Sequence, residues 1–442
     1  MSVSSQARPA PKGQLRSLWR APSRADLTRF TSSFVPTLLA VALQAVAFAI
    51  TARGLGASSF GKYTAVLAVA SMGVDLVGLG GSDVLVRAVA VDARRFPAFF
   101  GHMLLSLAYS FPAVLLLGMF VVTRDHGSSI GWLEVSAILL GEILFGRVAA
   151  STELVMVAHQ HQVAASLVRL FTALSRLALA ATFFLLLDHG DELGTWVRLV
   201  LLQSLLLSLV YLLFIVHLYG RPVWALQRRE IGSGIAFALN QTARAAQSNA
   251  DRVTLAYVSS DATLGAYAAG SRILQIGLVP IQTATRILYP RFFVHGASGL
   301  PAARAFALRC TPVMLATGVG SAIMVSAIGL VAPRILGQSF AATAQWAPLL
   351  SLSLPLIALQ YPAADALTGG GHQRLRTLLY VASTCGFGVV LALGALLDGV
   401  RGVVFAMLLG HASFAAVLWG ATYLAERRSV PADGVVLTGS DA

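Results

Sequence analysis

Long apolar runs recur along the whole 442-residue chain, and they limit what it can fold into more than any other feature. Each run is bounded by glycine, proline or charged residues, and about 20 apolar residues are enough for a helix to cross a bilayer. Hydrophobic residues make up 57% of the chain and charged residues only 12%, which is typical of a polytopic membrane protein. The twelve predicted spans lie at residues 32–53, 62–90, 97–122, 130–158, 163–187, 196–218, 231–258, 265–290, 305–330, 346–368, 377–397 and 401–424.

The distribution of arginine predicts how these spans are oriented. The net charge of +13 comes almost entirely from arginine. Such a surplus of positive charge is compatible with binding to nucleic acid, to anionic lipid or to an anionic substrate. Most arginines fall in the N-terminal tail and in alternate loops, so the positive-inside rule predicts cytoplasmic termini without any nucleic-acid partner. The predicted organisation is a basic cytoplasmic N-terminal tail at 1–30, an N-lobe at 31–220, a cytoplasmic linker at 221–230, a C-lobe at 231–425 and a cytoplasmic C-terminal tail at 426–442.

An internal repeat relates the two halves. The segment Phe60-Gly61-Lys62-Tyr63 opens the second span and Leu264-Gly265-Ala266-Tyr267 opens the eighth, an offset of 204 residues. Because each repeat contains an even number of spans, the halves are parallel. We therefore predict an all-α membrane protein with two six-helix lobes, related by a pseudo-two-fold axis along the membrane normal, and with a cavity between the lobes.

Two adjacent spans of the C-lobe carry polar seams at helical spacing. A charged side chain at mid-bilayer costs about 3 kcal/mol, so these seams are expected to face protein or a hydrated cavity. For any single arginine, pairing with a neighbouring carboxylate that merely holds helices together is an equally good interpretation. The first seam contains Asn240, Arg244, Ser248 and Asp251, and the second contains Arg272, Gln275, Gln282 and Arg286. All of these except Ser248 are candidate substrate-binding residues.

Depth in the bilayer separates the charged members of these seams. Counted from the turn at residue 261, Asp251 and Arg272 lie at similar heights, which predicts an ion pair between them. Arg244 has no carboxylate opposite it in the same hairpin. We therefore expect Arg244 to bind an anion, whereas Arg286 lies nearer a span end.

The N-lobe contains more acidic residues inside its spans. Glu153 and Arg169 are equally far from the turn at His161, which predicts a structural ion pair. Glu142 is predicted on the same helix face as Glu153, while Arg169, Thr172 and Arg176 form another seam. Arg147 and Arg176 lie deep and are candidate substrate-binding residues. Asp75 precedes Gly78-Leu79-Gly80-Gly81, where a helix can bend, and Asp75 and Glu142 are candidates for proton or sodium coupling as well as for salt bridges.

Motifs for other chemistry are rejected. Gly56-Ala-Ser-Ser-Phe-Gly61-Lys62-Tyr63 is close to a phosphate-binding loop, but Tyr63 replaces the required Ser/Thr and no strand precedes it, so no ATP site is expected. The sequence contains no HExxH motif or hydrolase triad, so neither an enzyme, nor a metal site, nor a cofactor is predicted.

Two blocks of the chain carry a family resemblance. Residues 51–87 and 249–292, with Asp251, the Leu264–Tyr267 segment and Arg272, resemble Wzx-type polysaccharide flippases of the multidrug/oligosaccharidyl-lipid/polysaccharide exporter superfamily. The resemblance implies movement of an undecaprenyl-type pyrophosphate-linked oligosaccharide across a bacterial inner membrane by alternating access. It also implies contact with membrane lipids and with polysaccharide polymerase machinery as a partner.

Two alternatives remain open from the sequence. A cation-coupled drug exporter of the same superfamily is expected to favour acidic and aromatic residues over the arginine-rich seams found here. A membrane polymerase or ligase acting on the same glycans is expected to have a large external loop, whereas every predicted external connection is short.

Overall fold

The computed structural model describes residues 24–123, 130–186 and 191–429, and within those ranges every regular element is helical. Most of the predicted N-terminal tail at 1–30 and of the C-terminal tail at 426–442 lies outside the described residues. Side-chain positions are described from Val35 onward. The helices therefore account for the part of the chain that carries the predicted spans.

Within residues 24–123, 130–186 and 191–219, the first half forms seven α-helices and one π-helix. In α1 the backbone turns at Gly56, whose φ of 68° suits glycine, so this helix holds the first span and the start of the second. The π-helix Leu140–Phe145 joins α4 to α5 and completes the fourth span. The α-helices are α1 (Arg24–Gly73), α2 (Gly81–Val91), α3 (Phe96–Thr123), α4 (Trp132–Leu139), α5 (Gly146–Ala158), α6 (Gln162–Leu185) and α7 (Glu192–Tyr219).

The second half, as far as Ser429, forms six further α-helices. The last of them is interrupted at Asp398 and Gly399, whose dihedral angles are not helical, and this break separates the eleventh span from the twelfth. The helices are α8 (Ile231–Val258), α9 (Asp261–Gly296), α10 (Leu300–Leu336), α11 (Thr343–Ser351), α12 (Ser353–Gly369) and α13 (Gln373–Ser429). Short 3-10 helices at Ala93–Arg95, Arg228–Glu230 and Gln338–Phe340 lie between them.

The number of membrane spans agrees with the twelve predicted. Among the described residues, eight helical stretches are long and apolar enough to cross a membrane, and two of these, Val35–Gly73 and Gln373–Arg427, each contain an interrupted helix that covers two predicted spans. The other two predicted spans are α8 and the α4–α5 pair. The polar seam lowers the hydropathy of α8, and the π-helix divides the fourth span into shorter helices.

The two lobes contact each other through glycines that the repeat makes equivalent. A Cβ atom at Gly61 would collide with the carbonyl of Asp261, and a Cβ atom at Gly265 would collide with the carbonyl of Ala57. The repeat offset of 204 residues converts one contact into the other, as a two-fold axis requires. We call this end of the bundle, which holds Gly56 and the α8–α9 turn, the kink end. The opposite end, which holds residues 220–230, is the linker end.

The second span differs from its counterpart in the C-lobe. Residues 74–80 leave the helix between α1 and α2, with positive φ at Gly78, Leu79 and Gly80, and the Gly78 amide donates to Ser110 Oγ at 2.8 Å. This agrees with the prediction that the glycine-rich segment bends. The corresponding helix of the C-lobe, α9, continues without interruption over 36 residues. The break therefore distinguishes the N-lobe from the C-lobe.

Candidate functional site

A cavity of about 460 Å³ lies inside the N-lobe, surrounded by α1, the fourth span, α6 and α7. Glu142 and Glu153 both line it, so the prediction that they share one face is confirmed. Arg169, Thr172 and Arg176 line it from α6, which confirms the second predicted seam. The sequence predicted a cavity between the lobes, whereas this one is bounded by N-lobe residues, because charged seams of two adjacent N-lobe helices face each other there.

Each arginine of this cavity has a carboxylate partner. Arg169 pairs with Glu153, as predicted from their equal distances to the intervening turn. Arg176 Nη2 lies 3.2 Å from Glu142 Oε1. Glu142 belongs to the π-helix, a local widening that often occurs at functional sites and that changes the direction of its side chain relative to a regular helix. The N-lobe cavity is therefore polar but close to neutral.

A third N-lobe pair lies beside the break in the second span. Arg147 Nη1 is 2.9 Å from Asp75 Oδ1, and Arg147 Nη2 donates to Ser82 Oγ at 2.8 Å. Arg147 thus connects Asp75, which lies within the break, to Ser82 in the first turn of α2. The candidate substrate-binding residues Arg147 and Arg176 and the candidate coupling residues Asp75 and Glu142 are brought together as two ion pairs.

The predicted ion pair between Asp251 and Arg272 is wrong. Asp251 is buried, its Oδ2 accepts a hydrogen bond from the Tyr267 hydroxyl at 2.8 Å, and its Oδ1 lies 3.9 Å from Arg252 Nε. Tyr267 and Arg272 are five residues apart on α9 and project from different faces of that helix. Asp251 and Tyr267 are each eight residues from Ser259, so Arg272 lies five residues, about 7.5 Å, further along α9 than the residue that Asp251 contacts. Both the register of the hairpin and the rotation of its helices therefore differ from the prediction, and Arg272 is solvent-accessible.

Arg272 has no carboxylate partner within the described part of the chain. Its nearest polar contact is with Gln275, where Nη1 lies 3.5 Å from Oε1. The guanidinium also interacts electrostatically with Arg252 of its own lobe and with Arg176 and Glu142 of the other. Arginines of the two lobes therefore approach one another, and Glu142 and Asp251 offset their charge in part.

The remaining C-lobe candidates are distributed along α8 and α9. Asn240, Arg244, Gln282 and Arg286 are all solvent-accessible, and neither arginine forms an ion pair with a described carboxylate. Arg244 interacts electrostatically with two tyrosines of the later C-lobe helices. The structure therefore brings Arg272 close to Arg176 and Glu142, while Arg244 belongs to a different environment.

Several polar residues of the site were not identified from the sequence. Gln44 and Gln203 line the N-lobe cavity, and Gln203 Nε2 donates to Ser175 Oγ at 2.8 Å. Each is a single amide within an otherwise apolar run, which is a usable signal because uncompensated polar groups in a membrane are costly. Tyr361 and Tyr380 near Arg244 offer no such signal, since tyrosines are common in spans.

The family comparison gives a match over more than half of the chain. Residues 28–294 match the model of a family described as polysaccharide biosynthesis protein. No curated protein matches the chain.

Solved membrane proteins share the fold at low sequence identity. An inward-facing multidrug resistance MATE transporter of the MOP superfamily is 14% identical with a TM-score of 0.58, covering 90% of this chain and 100% of that protein. The lipid II flippase MurJ in an inward closed conformation is 11% identical with a TM-score of 0.60, covering 90% of this chain and 87% of MurJ. The MATE multidrug transporter DinF-BH is 14% identical with a TM-score of 0.60, covering 92% of this chain and 96% of that protein. These likenesses establish the twelve-helix, two-lobe fold.

Proposed function

Because the chain belongs to the polysaccharide biosynthesis protein family, we propose that it is a flippase for a polyprenyl-pyrophosphate-linked oligosaccharide. It moves this substrate from the cytoplasmic to the periplasmic leaflet of a bacterial inner membrane, with both termini in the cytoplasm. The similarity in fold to MurJ, which is itself a lipid II flippase, supports a lipid-linked substrate.

The observation that carries this proposal is the guanidinium of Arg272, which has no ion-pair partner among the described residues and lies within electrostatic range of Arg176 and Glu142 of the other lobe. Arginines without a carboxylate partner inside a membrane bundle are rare, and they mark hydrated substrate or ion pathways. Arginine binds phosphate oxygens in bidentate geometry, and charge-assisted hydrogen bonds of this kind are about twice as strong as neutral ones. A pyrophosphate bound at Arg272 would also contact Arg176, and it would compete with Glu142 for the Arg176 guanidinium.

The other site residues take complementary roles in this proposal. Gln275, Gln282 and Asn240 offer amides to sugar hydroxyls, and Arg286 offers a further positive charge along the path of the pyrophosphate. Asp251 holds Arg252 near the site. The pairs of Arg147 with Asp75 and of Arg176 with Glu142 can exchange partners when a proton or sodium ion neutralises the carboxylate, which would couple transport to an ion gradient without ATP.

Alternating access follows from the contact between the lobes. The glycines bring two backbones into contact at the kink end, and Phe60 packs against Phe340 of the other lobe beside them, so this contact must open when the lobes separate there. The lobes then rock about a fixed central site. A polymerase on the periplasmic side would consume the product.

The test is translocation by purified protein in liposomes, using a labelled polyprenyl-pyrophosphate oligosaccharide. We expect Arg272→Ala to lower the rate at least about tenfold, since hydrogen bonds to charged groups contribute about 1.5–3 kcal/mol. Arg272→Lys should give an intermediate rate, because lysine keeps the charge but loses the bidentate geometry.

The matched control is Arg334→Ala, which removes a solvent-accessible arginine near the end of α10 that forms no ion pair with a described carboxylate. It should translocate at the unmodified rate. If Arg272→Ala translocates as fast as this control, Arg272 is not in the site. If the protein moves a cationic dye but no lipid-linked sugar, the drug-exporter alternative replaces the proposal.

A further inference from the structure

The C-lobe contains a second group of polar side chains, which the pyrophosphate site described above does not use. Its members lie on α8, α12 and α13 and come from segments far apart in sequence. They combine one arginine that has no described ion-pair partner with one ion pair, two phenols and an amide. We call this group the C-lobe cluster, and it contains Arg244, Gln247, Tyr361, Asp365, Arg376 and Tyr380.

One contact fixes how α8 and α13 lie against each other. The Thr384 hydroxyl is 3.3 Å from Gln247 Oε1. Both helices run from the linker end toward the kink end at this point. Arg244 precedes Gln247 by three residues and Tyr380 precedes Thr384 by four, so each lies one turn nearer the linker end on the contacting face. Arg244 and Tyr380 are therefore neighbours across this helix pair.

A second contact brings α12 into the same place. Arg376 Nη1 lies 3.3 Å from Asp365 Oδ1, and the Arg376 guanidinium lies 5.6 Å from the centre of the Tyr380 ring. Because α12 and α13 are antiparallel, Tyr361, one turn before Asp365, and Tyr380, one turn after Arg376, lie on the same side of this pair. Both tyrosines interact electrostatically with Arg244.

The charge of the cluster is not balanced. Asp365 is only 2% exposed and is matched by Arg376. Arg244 is solvent-accessible and has no carboxylate partner in the described ranges, so two arginines against one aspartate leave one positive charge. Two phenolic hydroxyls and an amide surround it. This combination suits a carboxylate carried by a molecule rich in hydroxyl groups, because the guanidinium binds the acid while the neighbours hydrogen-bond the hydroxyls.

The cluster is separate from Arg272. Arg244 lies 14 residues before the end of α8 at Val258 and Arg272 lies 11 residues after the start of α9 at Asp261, so their depths differ by three residues. At 1.5 Å per residue this difference is about 4.5 Å along the helices. Arg272 lies within electrostatic range of Arg176 and Glu142 of the N-lobe, whereas Arg244 lies within electrostatic range of Tyr361 on α12 and Tyr380 on α13. The two arginines therefore have different neighbours, which distinguishes the C-lobe cluster from the site at Arg272.

We propose that the C-lobe cluster binds the carboxylate of an acidic sugar, and therefore that the substrate is an acidic oligosaccharide with a uronic-acid type residue. This inference rests on the proposed flippase function and adds the class of glycan. The pyrophosphate binds Arg272. The carboxylate of the acidic sugar binds Arg244, and the rings of Tyr361 and Tyr380 lie beside the sugar.

The experiment compares three lipid-pyrophosphate oligosaccharides of equal length in the reconstituted translocation assay. The first carries one hexuronic acid, the second carries the methyl ester of that acid, and the third carries the neutral hexose. We expect the unmodified protein to move the acid at least tenfold faster than the ester or the hexose. Arg244→Gln should lower the acid rate at least tenfold and reduce the preference for the acid to less than threefold.

Two further variants keep the test independent of folding defects. Tyr380→Phe, which removes only a hydroxyl, should reduce the preference for the acid by a smaller factor, and Arg334→Gln should leave it unchanged. Equal rates for all three glycans overturn the inference while the flippase function stands. Equal slowing of all three by Arg244→Gln also overturns it, because the cluster then binds the pyrophosphate. Failure to move any lipid-linked glycan overturns the function itself.

Discussion

The two lobes share one architecture, but the arginines of their polar seams differ in whether they have a carboxylate partner. In the N-lobe, Arg147, Arg169 and Arg176 each pair with a carboxylate of another helix. In the C-lobe, Arg244 and Arg272 have no such partner among the described residues. Their second spans differ too, since the N-lobe helix breaks at residues 74–80 while α9 is continuous. The difference indicates that the seam arginines of the N-lobe are balanced within the protein, whereas Arg244 and Arg272 of the C-lobe are available to an external anion, even though Arg376 of the same lobe pairs with Asp365.

The strongest test of this comparison removes Arg147 from its pair. The side chains of Arg147 and Asp75 are only 12% and 20% exposed, so Arg147→Ala leaves a poorly solvated carboxylate without a partner. We expect a loss of about 3–5 kcal/mol in stability, seen as a lower midpoint of thermal unfolding in detergent. Asp75→Asn in the same chain should restore most of it.

The contrasting variant for this measurement is Arg272→Ala. Because Arg272 leaves no described carboxylate unpaired, its removal should shift the unfolding midpoint much less than Arg147→Ala. Equal losses for the two variants would contradict the distinction between a paired and an unpaired lobe.

An intermediate loss of stability is expected at the two glycine contacts that the repeat makes equivalent. Gly61→Ala and Gly265→Ala each place a methyl group against a carbonyl of the other lobe, and overpacking of this kind costs about 1–3 kcal/mol. Because the two contacts are related by the two-fold axis, both variants should lower the unfolding midpoint by similar amounts.

The matched control for the glycine variants is Gly320→Ala in α10, where an added Cβ has no neighbour within 4 Å. There alanine should stabilise the helix by about 0.5–1 kcal/mol. A large effect at Gly61 with none at Gly265 would show that the contact does not follow the symmetry.

The smallest effect is expected at the pair of Arg169 and Glu153. Their side chains are 40% and 29% exposed, and solvated ion pairs contribute about 0–1 kcal/mol. Arg169→Gln should therefore shift the unfolding midpoint only slightly, in contrast to Arg147→Ala. A loss as large as that of Arg147→Ala would mean that the cavity around this pair excludes water.

Some features that depend on one helix or one hairpin were predicted correctly from the sequence, although the same count to a turn failed for Asp251 and Arg272. The span predicted at 231–258 coincides with α8, and the Glu153–Arg169 pair followed from counting residues to the turn between its helices. The bend in the second span followed from its glycines. These results depend on distances along one helix or across one turn, which hydropathy and helix geometry determine.

Features that depend on helix rotation were not predictable. Asp251 contacts Tyr267, five residues before Arg272 on α9, because the register of the α8–α9 hairpin and the rotation of its helices differ from a simple count to the turn. The π-helix that carries Glu142 changes the phase of the fourth span, and no residue pattern indicated it. The C-lobe cluster combines residues from three helices far apart in sequence.

The sequence by itself determined that this chain spans the membrane about twelve times, that its halves are repeats, and that its charges lie in seams, because the bilayer requires apolar spans and penalises exposed charge. Only the tertiary structure decided which charges neutralise each other. Ion pairing depends on a few ångströms between side chains of different helices, and those distances are set by how helices rotate and pack. For this reason only the folded protein distinguishes the paired arginines of the N-lobe from the C-lobe arginines that lack a described partner.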